Sequence, residues 1–161
     1  MKNWGLTALI IIGAVAYNAV NQADRDSTGA IIDEGAVDAF NLRLGDCFDD
    51  TSSLMGGEGG EVDSLPGVPC ADPHDNEVYA VFDLTVGSLP DEDEMFAIAF
   101  DGCEARFEAF VGTDYETSSL DILTLYPTPE SWRQQNDREV VCAVYDINAQ
   151  KLVGSAKGLG L

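Results

Sequence analysis

The sequence predicts an α+β fold: a small, mostly antiparallel sheet with two helices on one face, held by two disulfides and preceded by one N-terminal transmembrane helix. Its 161 residues are enough for one domain. Short alternating apolar segments are interspersed with helix-start signals. All four cysteines follow an uncharged apolar run near the N-terminus, so the pattern indicates a membrane segment followed by a disulfide-containing domain.

Several short segments alternate apolar and polar residues, as half-buried strands do. The predicted strands span residues 41–44, 62–68, 77–86, 120–126 and 138–147, and residues 151–157 are expected to close a final hairpin. In the third strand successive side chains should alternate between the faces of the sheet. One face is expected to carry Val78, Ala80, Phe82 and Leu84, and the other Tyr79, Val81 and Asp83.

Two helices are expected between the third and fourth strands. Pro90 is followed by the acidic run DEDE, which the helix dipole favours in a first turn, so a first helix is predicted through Phe100. A second helix is predicted over residues 102–111, where apolar residues recur at spacings of three and four, and Gly112 should end it. The phenylalanines expected in the core by their spacing are Phe96, Phe100, Phe107 and Phe110.

A short helical turn is predicted where Thr128 can cap and Pro129 can take the first helical position. It carries Trp132, which we interpret as a core residue. At the start of the following strand, Asp137 and Arg138 are interpreted as a structural ion pair.

The N-terminal run over residues 4–20 carries no charge. As a helix it would extend roughly 25 Å, close to the ~30 Å of a bilayer core. Ala14-Val15-Ala16 also resembles a signal-peptidase site. The sequence favours a retained anchor because Trp4 and Tyr17 lie near its ends, where aromatic residues meet the membrane interface.

Lys2 should stay in the cytoplasm, so a plasma membrane protein is expected, with its acidic part on the extracytoplasmic side. The predicted organisation is a cytoplasmic N-terminus at 1–3, a single-pass anchor at 4–20, an acidic linker at 21–40 and a domain at 41–161. On a helical wheel of the anchor, Gly5, Ala8, Ala16 and Ala19 share one face. Small residues allow close helix packing and indicate a membrane partner, although such residues are also common in any span.

The negative charge of the chain limits the classes of molecule that it can bind. Beyond residue 21 there are 7 basic and 29 acidic residues, a net charge of −22. Such a domain should repel nucleic acid and anionic bilayer surfaces, so the bilayer is contacted through the anchor. Basic protein domains and divalent cations remain compatible partners, and a surface that serves only solubility is the simpler alternative.

The cysteines are expected to form two disulfides, because an even number in an exported domain is typical of structural bridges. Three connectivities are possible. We predict the pairs Cys47–Cys142 and Cys70–Cys103, which would close loops of about 95 and 33 residues and stabilise the fold by roughly 3.5 to 5 kcal/mol each.

His74, the single histidine of the chain, lies four residues after Cys70 and raises the question of a metal or catalytic site. A zinc site needs three or four nitrogen or sulfur ligands, and the cysteines are better used in disulfides. Hydrolysis by a serine nucleophile is not indicated, because no serine of the sequence lies in a G-x-S-x-G elbow. We therefore predict no enzyme activity, no cofactor and no metal site, and interpret His74 as a scaffold residue.

Calcium binding is a further alternative, because carboxylates are the hard oxygen ligands that this ion prefers. The candidate ligands are Asp46, Asp49 and Asp50 with the acids of residues 58–61, and separately the acids of residues 91–94. No D-x-D-x-D-G pattern is present, so the signal for calcium stays weak.

The order of local motifs is more specific than any of them alone. The motifs are LGDCF at 44–48, VPC at 68–70 with Pro73-His74, Cys103 with Phe107, Pro129 with Trp132, Asp137-Arg138 with Cys142, and GSAKG at 154–158. Together they resemble the actinobacterial septum-formation domain family over about residues 42–158. The resemblance implies one membrane span followed by an exported domain, and it brings no catalytic residues. Asn136 stands where the family usually has glycine, and asparagine also tolerates a positive φ.

These observations predict a non-enzymatic accessory or assembly subunit of an actinobacterial membrane complex, which acts through its transmembrane helix and its acidic extracytoplasmic domain. The partner complex is expected to be the division machinery or a respiratory supercomplex. The alternative is an envelope ligand- or calcium-binding module, or an envelope hydrolase that depends on His74.

Overall fold

The computed structural model describes residues 22–51 and 62–161. Most of the described strands form one six-stranded antiparallel sheet with the order β3-β5-β4-β6-β8-β7, and β1 and β2 form a separate hairpin. The strands are β1 (Asp24–Arg25), β2 (Ile31–Asp33), β3 (Gly35–Asp38), β4 (Cys47–Phe48), β5 (Ser64–Val68), β6 (Asn76–Asp83), β7 (Leu120–Leu125) and β8 (Glu139–Asp146). The helices are α1 (Glu92–Val111) and α2 (Pro129–Gln134). The described residues therefore combine helices with an antiparallel sheet and contain two disulfides, in agreement with the predicted α+β class.

Each face of the sheet has its own apolar cluster. The face that carries α1 and α2 buries Met95, Ala99, Phe107 and Trp132 against strand residues that include Val140, Cys142 and Val144. The opposite face buries Ile31, Val37, Phe48 and Leu65 with Val141 and Ala143. Alternate residues of β8 thus enter opposite clusters, which is why this strand is apolar along most of its length.

Residues 24–38, which fall in the segment predicted to be a linker, contribute three strands. β3 pairs with β5, and Ile31 and Val37 are buried in the second cluster. Arg25 holds this N-terminal hairpin to the domain through the buried carboxylate of Asp46, at 2.5 and 2.7 Å. This part of the segment is therefore folded, because its few apolar residues cover a sheet face that would otherwise be open to water.

The two helices predicted between the third and fourth strands are one helix, α1, of 20 residues. Gly102 lies in its interior, where glycine costs about 1 kcal/mol relative to alanine. A Cβ at this position would lie 2.3 Å from Cζ of Phe82, so glycine allows the aromatic ring to pack against the helix backbone. Gly112 ends the helix with a positive φ of 90°, as predicted. The second helix of the fold, α2, is the short turn predicted at Thr128, which forms a capping box with Ser131.

A β-bulge changes the predicted faces of β6. Val78 pairs with Ala143 and Ala80 pairs with Cys142, so Tyr79 is the extra residue between them. Tyr79 consequently joins the helix-side cluster together with Ala80, whereas Val78 and Val81 lie in the opposite cluster. The predicted faces of Val78 and Tyr79 were therefore wrong, because the inserted residue puts Tyr79 and Ala80 on the same face.

Two smaller expectations also change. Residues 41–44 are not a strand, and the first strand of this region is β4. Residues 151–157 form no hairpin and contribute one antiparallel bridge, between Leu152 and His74.

The predicted anchor at residues 4–20 and its packing residues Gly5, Ala8, Ala16 and Ala19 lie outside the described residues. Within residues 22–51 and 62–161, no helix has both the length and the apolar character to cross a membrane.

Candidate functional site

His74 lies completely buried just before β6. Its backbone N–H donates to Leu152 O at 3.0 Å, and its own carbonyl accepts from Leu152 N at 2.8 Å. The ring nitrogen Nδ1 lies 2.8 Å from Asp72 O and must donate the hydrogen bond, because a carbonyl oxygen only accepts. Within the part of the chain that the structure describes, Nε2 has no hydrogen-bond partner.

Glu77 is the buried acid beside this histidine, with 2% of its surface exposed. One carboxylate oxygen accepts from Ser155 Oγ at 2.6 Å and the other from the backbone N–H of Ala156 at 2.6 Å. Both donors belong to the C-terminal segment, which we define as residues 152–158. Glu77 therefore attaches this segment to the sheet through two short hydrogen bonds to a charged acceptor.

The first disulfide lies next to His74 and joins Cys47 to Cys70, with a Cα–Cα distance of 5.2 Å. Cys47 pairs with Val68 in the β4–β5 ladder, so Cys70, two residues beyond Val68, emerges beside it. The second disulfide joins Cys103 of α1 to Cys142 of β8 at a Cα–Cα distance of 5.5 Å. All four cysteines are bridged, as predicted.

The predicted pairs Cys47–Cys142 and Cys70–Cys103 were wrong. β6 lies between β4 and β8, so Cys47 and Cys142 are on strands two positions apart in the sheet. Strands are spaced about 4.8 Å apart, which puts two such cysteines some 9 to 10 Å from one another. That separation exceeds the ~7 Å limit for a disulfide. Strand order, which the spacing of the cysteines does not encode, therefore decided the pairing.

Cys47, His74 and Glu77 form a buried cluster whose potential metal-ligand atoms all lie within 4.8 Å of one another. Cys47 Sγ is covalently bonded to Cys70 and cannot act as a thiolate. The oxidised protein thus offers one imidazole nitrogen and one carboxylate at this point, fewer ligands than a zinc site uses. Together with its burial and backbone contacts, this supports a scaffold role for His74.

The candidate calcium ligands in the described residues have other partners. Asp46 binds Arg25, and the hydrogen bond between them is the main reason why the pKa of the Arg25 guanidinium is raised. Asp49 binds Lys151 Nζ at 2.7 Å, and Asp50 accepts from the side-chain amide of Asn76 at 2.8 Å. Residues 58–61 lie outside the described residues.

The acids of residues 91–94 begin α1. Asp91 is the N-cap and accepts from the backbone N–H of Glu94 at 2.9 Å. Glu92, Asp93 and Glu94 form the exposed first turn, as the predicted helix start requires. The cap and the first turn of the helix therefore account for these acids.

The predicted ion pair of Asp137 and Arg138 is not formed. Asp137 accepts from Ser131 Oγ at 2.8 Å and from Glu139 N at 3.0 Å. Arg138 instead places its guanidinium 3.4 Å from the ring centroid of Trp132 and donates to two backbone carbonyls. The predicted burial of Trp132 is confirmed, and so is the positive φ of Asn136, at 56°.

The phenylalanines predicted to lie in the core divide into two groups. Phe107 is fully buried, and Phe100 and Phe110 are partly buried against the helix-side cluster. Phe96 is 50% exposed, so its assignment to the core was wrong. Because Met95 and Ala99 occupy the buried stripe of this turn, Phe96 projects from the side of the helix.

The sequence analysis missed Glu77 and Asn76, which are both buried. Their signal was an acid and an amide at the start of an apolar strand, where unpaired burial would be costly. The partner of Glu77 comes from the C-terminal segment, 78 residues further along the chain. Only the tertiary structure reveals that contact.

Comparison with known proteins locates the chain among its relatives. The family model described as "Septum formation" matches residues 44–158. An uncharacterized membrane protein found in two strains of Mycobacterium tuberculosis is 29% identical over 145 residues, which cover 83% of this chain and 29% of that protein. The chain therefore spans less than a third of the length of these curated relatives. No solved structure matches the chain.

Proposed function

The chain belongs to the septum-formation family, and from this premise we propose that it is a division-related membrane protein whose extracytoplasmic domain works as a non-enzymatic contact module within a larger complex. The family and the membrane-protein relatives support the coarser part of this proposal. The two disulfides support an oxidising, extracytoplasmic setting. The anchor predicted at residues 4–20 would attach the domain to the plasma membrane.

The observation that carries the proposal is the use of the buried polar groups. Asp46 binds Arg25, Glu77 binds the C-terminal segment, and His74 is enclosed without access to solvent. An enzyme would present such groups to a substrate, whereas here they connect parts of the fold. The exposed surface, which is strongly acidic, is then the part of the domain that remains for partners.

The test is purification of the tagged full-length protein from native actinobacterial membranes in mild detergent, followed by mass spectrometry of the proteins that accompany it. We expect septal proteins in stoichiometric amounts. Recovery with cytochrome subunits would instead assign the protein to a respiratory complex. A protein that purifies alone under several detergents would contradict the contact role.

The enzymatic alternative has its own experiment. Purified protein is incubated with cell-wall fragments and with phosphate-ester substrates, and the folded His74→Gln variant is used for comparison. We expect no turnover above the variant. Turnover that disappears in His74→Gln while the protein remains folded would contradict the non-enzymatic proposal.

A further inference from the structure

We propose that a partly exposed aromatic surface near the start of α1 docks a basic segment of the partner protein, in which lysine or arginine side chains alternate with apolar ones. This surface, called the aromatic surface below, consists of Phe96, Phe100 and Tyr126. The inference rests on the proposed contact function and specifies the part of the domain that makes the contact.

The aromatic surface is a supported platform. The rings of Phe96 and Phe100 have centroids 5.8 Å apart, and those of Phe96 and Tyr126 are 6.3 Å apart in an edge-to-face arrangement. Phe100 and Tyr126 are partly buried against the helix-side cluster, which fixes their positions. Phe96 rests on both rings and keeps half of its surface exposed. A large aromatic residue in this position contributes little to the core and presents a rigid face to a partner.

The charge around the aromatic surface favours a basic partner. Glu92 and Asp93 lie one helical turn before Phe96 and are exposed. The pKa of Tyr126 is raised, mainly by burial and also by the negative charge of Glu92, whose carboxylate lies near the phenol. Among residues 22–51 and 62–161, neither Glu92 nor Asp93 forms an ion pair. A partner cation is therefore free to bind them.

The net charge of the chain argues against the other classes of occupant. A second copy would bring together two chains of net charge −21. Nucleic acid and anionic lipid would be repelled in the same way. A lysine or arginine can contact an aromatic face and a carboxylate at once. The domain already stacks cations on aromatic rings internally, with Arg106 placed 4.1 Å from the ring centroid of Phe82 and Arg138 placed over Trp132.

The first experiment measures binding of a fluorescent peptide with alternating arginine and leucine to the full-length oxidised protein in a neutral detergent. Phe96→Ser should weaken binding about tenfold, the loss expected for one aromatic hot spot of roughly 1.4 kcal/mol. The double variant Glu92→Gln/Asp93→Asn should also weaken binding and reduce its dependence on salt. Circular dichroism and thermal unfolding verify that each variant is folded.

Matched controls separate this site from general attraction to an acidic protein. Asp101→Asn/Glu108→Gln removes the same charge from exposed positions further along α1, and Ile147→Ser removes an exposed apolar side chain from another part of the surface. Both controls should bind within about twofold of the wild type, as expected for positions outside the contact. Equal losses in the controls and in the Glu92/Asp93 variant would contradict a specific surface.

The second experiment replaces Phe96 with a photo-crosslinking phenylalanine analogue in native membranes. We expect a crosslink to a lysine- or arginine-rich segment of a co-purifying protein. A crosslink to a second copy of this chain, or to a segment without basic residues, would overturn the inference. If the wild type and Phe96→Ser recover the same partners equally well, the aromatic surface is wrong and the proposed contact function stands. If the wild type recovers no partner, the proposed function itself fails.

Discussion

Replacing Glu77 with glutamine should loosen the attachment of the C-terminal segment to the sheet. The carboxylate accepts two hydrogen bonds of 2.6 Å, from Ser155 Oγ and Ala156 N, in a position that is 2% exposed. Glutamine keeps the shape of the side chain but turns one acceptor into an NH₂ donor. Its oxygen can still accept from Ala156 N and its NH₂ can donate to the Ser155 hydroxyl, so both contacts persist, but as weaker hydrogen bonds between neutral groups.

The magnitude follows from these contacts. A hydrogen bond to a charged group contributes about 1.5–3 kcal/mol and a neutral one about 0.5–1.5 kcal/mol, so the two weakened bonds together lose about 2–3 kcal/mol. We expect Glu77→Gln to lower the free energy of unfolding by about 2–3 kcal/mol. The structure describes about 130 residues, and an unfolding entropy of about 2.1 cal/mol/K per residue converts this loss to a Tm lower by about 9 °C.

The assay is thermal unfolding of the oxidised protein, together with hydrogen exchange of individual amides. Exchange should increase at Leu152, Gly154 and Ala156, whose N–H groups bond to His74, Cys70 and Glu77, while β8 stays protected. The control is Glu108→Gln, the same substitution at an exposed position, which should change stability by less than about 0.5 kcal/mol. A Tm within about 2 °C of the wild type, or faster exchange spread evenly over the sheet, would refute the reasoning.

Three further perturbations test other contacts. The double variant Cys103→Ala/Cys142→Ala removes the second disulfide, which closes a loop over a separation of 39 residues. Denaturant unfolding should show a free energy of unfolding lower by about 4 kcal/mol. An unchanged denaturation midpoint would contradict the bridge. Arg25→Leu leaves a buried carboxylate without its cation, and the same measurement should show a loss of about 3 kcal/mol. Burial first, then two neighbouring carboxylates, raise the pKa of Glu139, which lies directly across the ladder from Asp83. The raised pKa means that the folded state disfavours the ionised carboxylate. Glu139→Gln should therefore stabilise the domain at pH 7 by about 0.2–1 kcal/mol, and this gain should disappear as the pH falls through that pKa. A gain that is unchanged at pH 3 would contradict the electrostatic cause.

Local physical chemistry accounts for the elements that the sequence predicted correctly. β7 and β8 were predicted to within a residue or two because their apolar runs are bounded by turn residues. The start of α1 at DEDE, its end at Gly112 and the capping of α2 at Thr128 each depend on residues within one turn of the chain. The oxidised state of all four cysteines was predicted from their even number and from the oxidising compartment expected for the domain.

The tertiary structure decided the features that depend on distant parts of the chain. The disulfide pairs follow from strand order, and the face on which Tyr79 lies follows from a bulge that the alternation of residues does not reveal. The partners of Asp46 and Glu77 lie 21 and 78 residues away along the chain. Such contacts form because a buried carboxylate is costly without a partner, and only the folded chain determines which donor is within reach. The sequence by itself therefore determined which residues are bridged and which cap the helices, whereas packing determined which residues meet, and that Glu77 is buried while Phe96 is half exposed.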